Sequence, residues 1–414
     1  RQHNEKQTRR EHSMKIRSIK AVNVTLPAKK PTTPVRRESW RHSSPIGLPM
    51  NKYPEFPPDV PGKSPGIGGR AVWVQIVAED GTWGLGRTGF GEPVAALVDS
   101  FYAPLLEGRD CFATEHLNDM MWNASKRHGS LGLSACAQSA VDLALWDLKG
   151  KLLQQPVYRL LGGPAREKIL CYCTGDDLDW SMELGFSHFK ITNPVHYEQG
   201  ITGINIMEDK VAKAREQVGR DAELMINPVM AYDVEFAIRL AERLRPYELR
   251  WMEEPLIPED LEGHIQLRQA VPWMPIATGE DHHTRVPFRQ LVENRCVDVV
   301  QPDLHWCGGM TEAIKIYHIA EAAGIKSSPH GGLNSAYGQH FCYAMPDCTL
   351  SEFHLSTPVG VPLEEVAAMP GVPVPKDGYL VPSAAPGFGL EITEDCIRPW
   401  DHTQATTGGG DVVL

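Results

Sequence analysis

Six polar residues recur along the second half of the chain at intervals close to the length of one strand–helix unit. Each ends or follows a short apolar run, and the spacing from one to the next is 22 to 27 residues. When strands alternate with helices, the carboxyl ends of the strands meet at one face, and that face carries the chemistry. The six residues are Asn227, Glu253, Glu280, Asp303, His330 and Glu352.

Taken alone, members of this set have structural explanations. Glu253 comes just before Pro255 and could mark the exit from a strand. Asp303 could cap a following helix, and His330, which precedes two glycines, could be an ordinary loop histidine. Six residues in phase are not explained by helix capping, so the pattern favours a site.

The residue types divide this site into two parts. Asn227, Glu253 and Glu280 offer three successive oxygen donors, which suit a hard cation such as Mg²⁺ better than zinc. Asp303 and His330 suit proton transfer, because a carboxylate bonded to one imidazole nitrogen fixes the tautomer and raises the basicity of the other. A metal beside such a pair fits removal of the proton next to a substrate carboxylate, since the metal stabilises the charge that develops.

The elements that must position these residues alternate regularly. Eight short apolar runs are separated by helical segments, which predicts an α/β fold with a parallel sheet, and eight strands close a barrel. A doubly wound open sheet is the alternative, but no glycine-rich phosphate loop follows the first strand. The runs are Ile169–Thr174, Ser187–Thr192, Glu223–Asn227, Leu249–Glu254, Pro275–Gly279, Val297–Pro302, Ile325–Pro329 and Thr349–Phe353.

The N-terminal part has a different pattern. Met14–Leu26 and Ala71–Glu79 are typical of strands, and Ser134–Leu153 repeats its apolar residues at helical spacing. The stretch between the two strands is rich in proline and glycine, which is typical of a functional or disordered loop. Residues 1–13 are polar and are expected to form a disordered leader.

Composition and charge exclude several classes of partner. The chain has 414 residues and a net charge of −11, which argues against nucleic acid or an anionic membrane as the partner. No run approaches the roughly 18 apolar residues that a membrane span needs. Nine cysteines without any C-x-x-C pair indicate a reducing compartment. These observations predict a cytoplasmic protein.

Short motifs around the polar residues carry a resemblance to a known family. They include Trp-Met-Glu-Glu ending at Glu254, Gln-Pro-Asp ending at Asp303, the Trp-Cys-Gly-Gly block beginning at Trp306, and Pro-His-Gly around His330. In these motifs the chain resembles the enolase superfamily, mandelate racemase subgroup, and most closely the L-rhamnonate dehydratase-like acid-sugar dehydratases. The resemblance covers roughly Met14 to Trp400.

The resemblance implies a domain organisation. A (β/α)₇β TIM-like barrel would occupy residues 166–355, and an N-terminal α+β capping domain would occupy residues 14–165. Residues 356–414 would then return to the capping domain. The family commonly forms homo-oligomers, so assembly of this kind is expected as well.

The resemblance also implies an activity, which is Mg²⁺-dependent dehydration of an acid sugar to a 2-keto-3-deoxy acid. Asn227, Glu253 and Glu280 would hold the metal. His330 with Asp303 would transfer the proton. Glu352 would hydrogen-bond the substrate carboxylate as it becomes an enediolate.

Three positions depart from the family pattern. The second-strand lysine base of the racemases is absent, because Lys190 is followed two residues later by Thr192. A dehydratase needs only one base, so this change argues against racemisation. Asn227 stands where the family carries Asp, which removes one negative charge from the metal site. Asp281 stands where the dehydratases carry His and is followed by His282 and a second histidine.

Substrate selectivity is expected from residues around the mouth of the barrel. The candidates leave the preferred sugar open, with L-rhamnonate, L-lyxonate and related aldonates as alternatives. An epimerase or racemase of a hydroxy acid and a catalytically silent family member are the competing interpretations. The predicted substrate-binding residues are Lys190, Thr192, Arg41, His42, Lys63 and His282.

Overall fold

The computed structural model describes residues 13–57 and 70–403, which form two packed parts. One is an antiparallel sheet covered by helices, and the other is a set of eight parallel strands surrounded by helices. The predicted barrel with an N-terminal capping domain is therefore confirmed.

Within residues 13–57 and 70–152, the N-terminal part contains three strands and four α-helices. The antiparallel order β1-β2-β3 continues through a tight turn between the second and third strands. Both strands and the long helix predicted from the sequence are present, with ends shifted by one or two residues. The elements are β1 Ile16–Val24, β2 Val72–Ala78, β3 Trp83–Thr88, α1 Glu92–Leu97, α2 Ala103–Leu106, α3 Thr114–Ala124 and α4 Leu133–Leu152.

Helix α4 joins the two parts because it is buried on both faces. Leu145 packs into the core beneath the sheet, while Leu143 and Trp146 belong to the core around the barrel. The helix approaches β3 so closely that a Cβ at Gly84 or Gly86 would overlap its backbone. Small residues on the strand therefore set the distance between sheet and helix.

The barrel alternates strands with helices. Its parallel order is β10-β9-β8-β7-β6-β5-β4-β11, and all eight strands overlap the runs predicted from sequence. The strands are β4 Ile169–Thr174, β5 His188–Thr192, β6 Glu223–Asn227, β7 Trp251–Glu253, β8 Ile276–Thr278, β9 Val299–Val300, β10 Lys326–Ser327 and β11 Ser351–His354. The helices are α5 Val157–Leu160 before the barrel, then α6 Leu178–Glu183, α7 Gly200–Val218, α8 Val234–Leu244, α9 Leu261–Ala270, α10 Arg285–Glu293, α11 Gly309–Ala322 and α12 Ala336–Ala344.

The barrel interior changes from apolar to polar along the strands. Side chains two residues apart on a strand point to the same face, so each strand delivers residues to the interior in successive layers. The lower layer is an apolar cluster of Tyr172, Met225, Trp251, Ala277 and Val299. The residues two positions later are Thr174, Asn227, Glu253, Gly279 and Gln301.

The C-terminal segment touches both parts. It contains α13 Leu363–Val366, β12 Tyr379–Leu380 and β13 Ile397–Pro399. The short strand β12 pairs antiparallel with β4 of the barrel, and β13 pairs antiparallel with β1. Among residues 13–57 and 70–403, none of the helices combines the length and apolar character needed to cross a bilayer.

His340 on α12 is a buried histidine that should make the stability of the fold depend on pH. It is fully buried, its Nδ1 accepts the backbone N–H of Tyr158 at 3.2 Å, and burial lowers its pKa to about 3. The unfolded chain therefore binds a proton at this residue below about pH 6.5 while the folded chain does not, so its contribution to stability is lost as the pH falls.

We expect the free energy of unfolding to fall less in His340→Gln than in the parent when the pH is lowered from about 7.5 to about 5.5. Glutamine keeps a hydrogen-bond acceptor for the backbone N–H of Tyr158. The difference should be about 1.4 kcal/mol for each pH unit below 6.5. Urea unfolding at the two pH values measures it, with the exposed His116→Asn as the control. An equal loss in parent and variant would show that His340 is protonated in the folded state.

Candidate active site

The predicted catalytic pair lies at the carboxyl ends of β9 and β10. His330 Nδ1 is 2.8 Å from Asp303 Oδ2, and both side chains are buried. The other oxygen of Asp303 accepts the backbone N–H of His305 at 2.6 Å. Burial alone would raise the pKa of Asp303, but His305 and His330 hold it below its ordinary range. The ionised carboxylate therefore fixes the imidazole, with Nε2 directed away from it.

An aromatic side chain also packs on the face of the His330 imidazole. Trp306 stacks on it with ring centroids 5.6 Å apart, and Phe90 of the capping domain contacts Trp306 at 5.7 Å. On the other side, His330 Nε2 lies 3.3 Å from Glu280 Oε1. Burial would lower the pKa of His330, but Glu280 and Asp303 outweigh that effect and raise it.

A buried ammonium joins two carboxylates at the centre of the barrel. Lys190 Nζ lies 2.7 Å from Glu352 Oε1 and also contacts Glu253. Burial would raise the pKa of Glu352, but Lys190 and His330 hold it at about 2. The second oxygen of Glu352 accepts the N–H of Gly331 at 2.7 Å. Both glutamates thus contact the same ammonium.

Glu253 is surrounded by hydrogen-bond donors. Besides Lys190, the amide of Asn227 donates to it at 3.0 Å, and the Trp251 indole donates at 3.0 Å. The amide of Gln301 donates at 2.6 Å. The carbonyl oxygen of Asn227 accepts the backbone N–H two residues later at 2.8 Å. Two of the three predicted metal ligands, Asn227 and Glu253, are therefore hydrogen-bonded to each other.

A second group of acidic side chains lies beside this network. One ligand oxygen from each of Glu254, Glu280 and Asp281 falls within 4.8 Å of the others. Burial, reinforced by Asp281 and Glu253, raises the pKa of Glu280, and burial also raises the pKa values of Glu254 and Asp281. Crowded, buried carboxylates are the environment that a divalent cation stabilises, so the residues present fit Mg²⁺.

A segment of the N-terminal part covers this end of the barrel. The indole N–H of Trp40 donates to Leu355 O at 2.6 Å, and its backbone N–H donates to Asp177 Oδ2 at 2.9 Å. Its ring lies 5.5 Å from that of His354, whose pKa burial, together with Arg41, lowers to about 3. The guanidinium of Arg41 lies over the Trp40 ring, 5.7 Å from its centroid.

Other predicted substrate-binding residues lie away from this cluster. The hydroxyl of Thr192 donates to Asp176 at 2.6 Å and accepts from Lys210 at 2.8 Å. His282 is buried and packs against His264 and Phe288 of the outer helices. His42 is exposed, with 69% of its side chain accessible. Lys63 lies outside the described residues.

Some residues of the site were not singled out from the sequence. In the sequence pattern, Glu254 and Asp281 stand only as neighbours of predicted ligands, and no motif marks His354. All three residues lie next to the end of a strand. That position alone does not determine which of two neighbouring side chains faces the site. Trp306 belonged to a recognised motif, but its stacking on the imidazole could not be inferred from it.

Comparison with known families agrees with this architecture. Residues 178–396 match the family described as "Enolase C-terminal domain-like". Residues 68–162 match "Mandelate racemase / muconate lactonizing enzyme, N-terminal domain". The two matches cover the barrel from its second strand onward and most of the capping domain, and the resemblance noted in the sequence is confirmed.

Individual relatives support the same assignment. An L-rhamnonate dehydratase of Saccharopolyspora erythraea is 40% identical over 395 residues, which cover 94% of this chain and all of that protein. The crystal structure of a rhamnonate dehydratase from Gibberella zeae complexed with Mg matches with a TM-score of 0.84 and 31% identity, over 94% of this chain and 98% of that one.

A third relative has a different reaction in its name. The 3,6-anhydro-D-galactonate cycloisomerase from Zobellia galactanivorans matches with a TM-score of 0.69 and 30% identity, over 78% of this chain and 92% of that chain. The fold is therefore shared more widely than one activity. With both domains matched and a relative aligned over its whole length, this chain belongs to the enolase superfamily and is a hydro-lyase.

Proposed function

We propose that this protein dehydrates an acid sugar, an aldonate such as L-rhamnonate or L-lyxonate, to a 2-keto-3-deoxy acid, with Mg²⁺ as its cofactor. The observation that carries the proposal is the single base. His330 is paired with Asp303 on one side of the site, whereas Thr192, at the second-base position, bonds to Asp176 instead of facing a substrate.

The reaction needs one group that first accepts and then donates a proton. In its neutral form, His330 removes the C2 proton with Nε2, and the electron pair of that C–H bond forms an enediolate. The imidazolium then protonates the C3 hydroxyl, the C3–O bond breaks, and water leaves. The resulting enol tautomerises to the 2-keto-3-deoxy acid. Asp303 stabilises the imidazolium that exists between the two transfers.

The other residues bind the carboxylate end of the substrate. Mg²⁺, when bound, stabilises the negative charge that develops on the carboxylate oxygens. Lys190 supplies positive charge near the substrate carboxylate, and Glu352 positions Lys190 and the loop at Gly331. A hydrogen bond from Glu352 to the enediolate stays a prediction from the family resemblance. Trp40 and Arg41 cover the opening and exclude water. Three points stay predictions from the sequence. They are the metal ligands Asn227, Glu253 and Glu280, the assembly into homo-oligomers, and the cytoplasmic location.

The substrate is expected to be an aldonate with several hydroxyl groups. The relatives named as rhamnonate dehydratases support L-rhamnonate as the first compound to test. The asparagine at position 227 and the aspartate at position 281 distinguish this chain from the family pattern and favour including L-lyxonate and other pentonates and hexonates.

A screen of the purified chain with Mg²⁺ against a library of aldonic acids tests this function. Keto-acid release, scored as the semicarbazone, would support dehydration and identify the substrate. Solvent deuterium at C2 without keto acid would instead support epimerisation. Neither signal with any compound, together with calorimetry that shows no metal binding, would favour the catalytically silent alternative.

A further inference from the structure

We propose that His354, at the end of β11, is a specificity-determining residue that hydrogen-bonds a hydroxyl group of the acid sugar beyond C3, and that Arg41 donates to the same part of the molecule. The inference rests on the proposed function, because it names how that site would recognise the sugar chain of its substrate. It assigns no part in proton transfer or cation binding to either residue.

The backbone at His354 is fixed from two sides. The side chain of Asn334 donates to its carbonyl oxygen at 2.9 Å and accepts its backbone N–H at 2.7 Å. The carbonyl oxygen of the next residue, Leu355, accepts the indole N–H of Trp40 at 2.6 Å. A side chain on a strand end held in this way keeps a defined direction, which a recognition group requires.

The imidazole of His354 lies close to the proton-transfer site. It is on the same face of β11 as Glu352, which precedes it by two residues. Its ring is 5.5 Å from that of Trp40. Burial and the charge of Arg41 lower the pKa of His354 to about 3, so the ring is neutral at neutral pH. The charges of Glu352 and His330 also act on this group, which places it between the covering segment and the catalytic residues.

Both ring nitrogens of His354 are available to a ligand. Among residues 13–57 and 70–403, none is hydrogen-bonded to either nitrogen. The residue is 8% exposed, yet neither nitrogen is fully enclosed, in contrast to the unpaired Nε2 of His264. A neutral imidazole presents one donor and one acceptor, and a hydroxyl group is both. The group therefore suits a hydroxyl better than a carboxylate, which only accepts.

Arg41 adds a second set of donors. Its side chain is half-buried, and its guanidinium lies over the Trp40 ring. Arg36 and Arg37, a few residues earlier, both pair with carboxylates of α6. In the part of the chain that the structure describes, Arg41 pairs with no carboxylate, and burial lowers its pKa. Its N–H groups are therefore available to the oxygen atoms of a sugar.

The strand order indicates which part of the substrate reaches His354. The strand that carries Glu253, β7, and the strand β11 are four strands apart in the sheet. In a closed barrel of eight strands, strands four apart face each other across the interior. With the substrate carboxylate on the cation side and C2 at His330, the rest of the sugar chain extends toward β11 and Trp40. His354 and Arg41 are thus placed to bind hydroxyl groups beyond C3.

Calorimetric titration of the full-length chain with an aldonate in the presence of Mg²⁺ tests this role. Each variant is made in a His330→Asn parent, so that binding is measured without turnover, and the probes are L-rhamnonate and L-lyxonate. We expect His354→Phe, which keeps a ring beside Trp40 but removes both nitrogens, to raise the Kd about tenfold or more. His354→Gln keeps a donor and an acceptor and should raise the Kd less. The exposed His318→Phe is the matched control.

A truncated probe separates recognition of the hydroxyl groups from a general loss of the site. Glycerate carries hydroxyl groups only at C2 and C3. Its Kd should therefore be the same in the parent, in His354→Phe and in Arg41→Met. Arg41→Met, which keeps an apolar stem over Trp40, should weaken binding of the longer aldonates in the same direction as His354→Phe.

An equal Kd for the aldonates in the parent and in His354→Phe would overturn the proposal, and so would an equal weakening of aldonates and glycerate. Absence of binding by every aldonate of the library would overturn it as well. Keto-acid formation by the chain that keeps His330, together with the first of these results, would mean that the proposed function holds and this inference fails. Aldonate binding that depends on His354, without keto-acid formation, would mean the reverse. Melting curves identify a variant that does not fold, and His354→Gln then carries the test.

Discussion

His330→Asn is expected to lower the rate of keto-acid formation by at least about 10³-fold while leaving the fold intact. General acid–base catalysis contributes about 10²–10⁴-fold, and here the same imidazole serves as both base and acid. Asparagine can still hydrogen-bond Asp303 but cannot accept the C2 proton. The contact between Trp306 and Phe90 does not involve His330, so the substitution leaves it in place.

The measurement is turnover of whichever aldonate the screen identifies, with deuterium exchange at C2 as a second readout. Both should be lost together if His330 removes the proton. Loss of keto acid with retained exchange would mean that another group takes the proton and that His330 acts only on the leaving hydroxyl. His116→Asn on the surface of α3 is the control and should keep full turnover.

Lys190→Met is expected to reduce the free energy of unfolding by about 3–5 kcal/mol, which is the usual effect of removing one member of a buried ion pair. Methionine has a similar length but carries no charge. The carboxylates of Glu253 and Glu352 would lose the ammonium between them, and both are buried. At present these carboxylates hold the pKa of Lys190 well above its ordinary value, although burial alone would lower it.

Urea unfolding with the metal chelated measures this effect, since a bound metal would itself stabilise the fold. Adding Glu253→Gln to Lys190→Met should recover part of the loss, because it removes one of the two unpaired charges. Lys326→Met is the matched control. Its partner Asp347 is 3.0 Å away at the surface, so we expect a loss below about 1 kcal/mol. Similar losses in Lys190→Met and Lys326→Met would show that Lys190 is not structurally required.

The sequence by itself determined the barrel and the end of it that carries polar groups. Strand and helix periods are local properties, so eight alternating units could be recognised along the chain and counted. The polar residues come at the ends of these runs, and in the structure Asn227 and Glu253 lie on the interior face, two residues beyond Met225 and Trp251. The pairing of Asp303 with His330 followed, because both lie at the ends of neighbouring strands.

Only the tertiary structure decided which neighbouring side chains meet. Glu254 follows the last residue of β7 in a left-handed conformation, with φ of 44°, so strand parity no longer predicts where its carboxylate lies. It meets Asp281, 27 residues away, by a backbone path that no local pattern describes. Lys190 could be placed on the interior face from the sequence, but its bridge between Glu253 and Glu352 depends on the barrel closing.

The segment around Trp40, which covers the site, is positioned by residues that are distant in the sequence. Trp40 bonds to Leu355, which lies 315 residues later, and packs on His354. Its loop has no period from which a position could be inferred. Local periodicity thus determines the elements and the face each side chain takes within them. The contacts made where strands end and loops cross depend on packing between distant segments, and those contacts set the charge and ligands of the site.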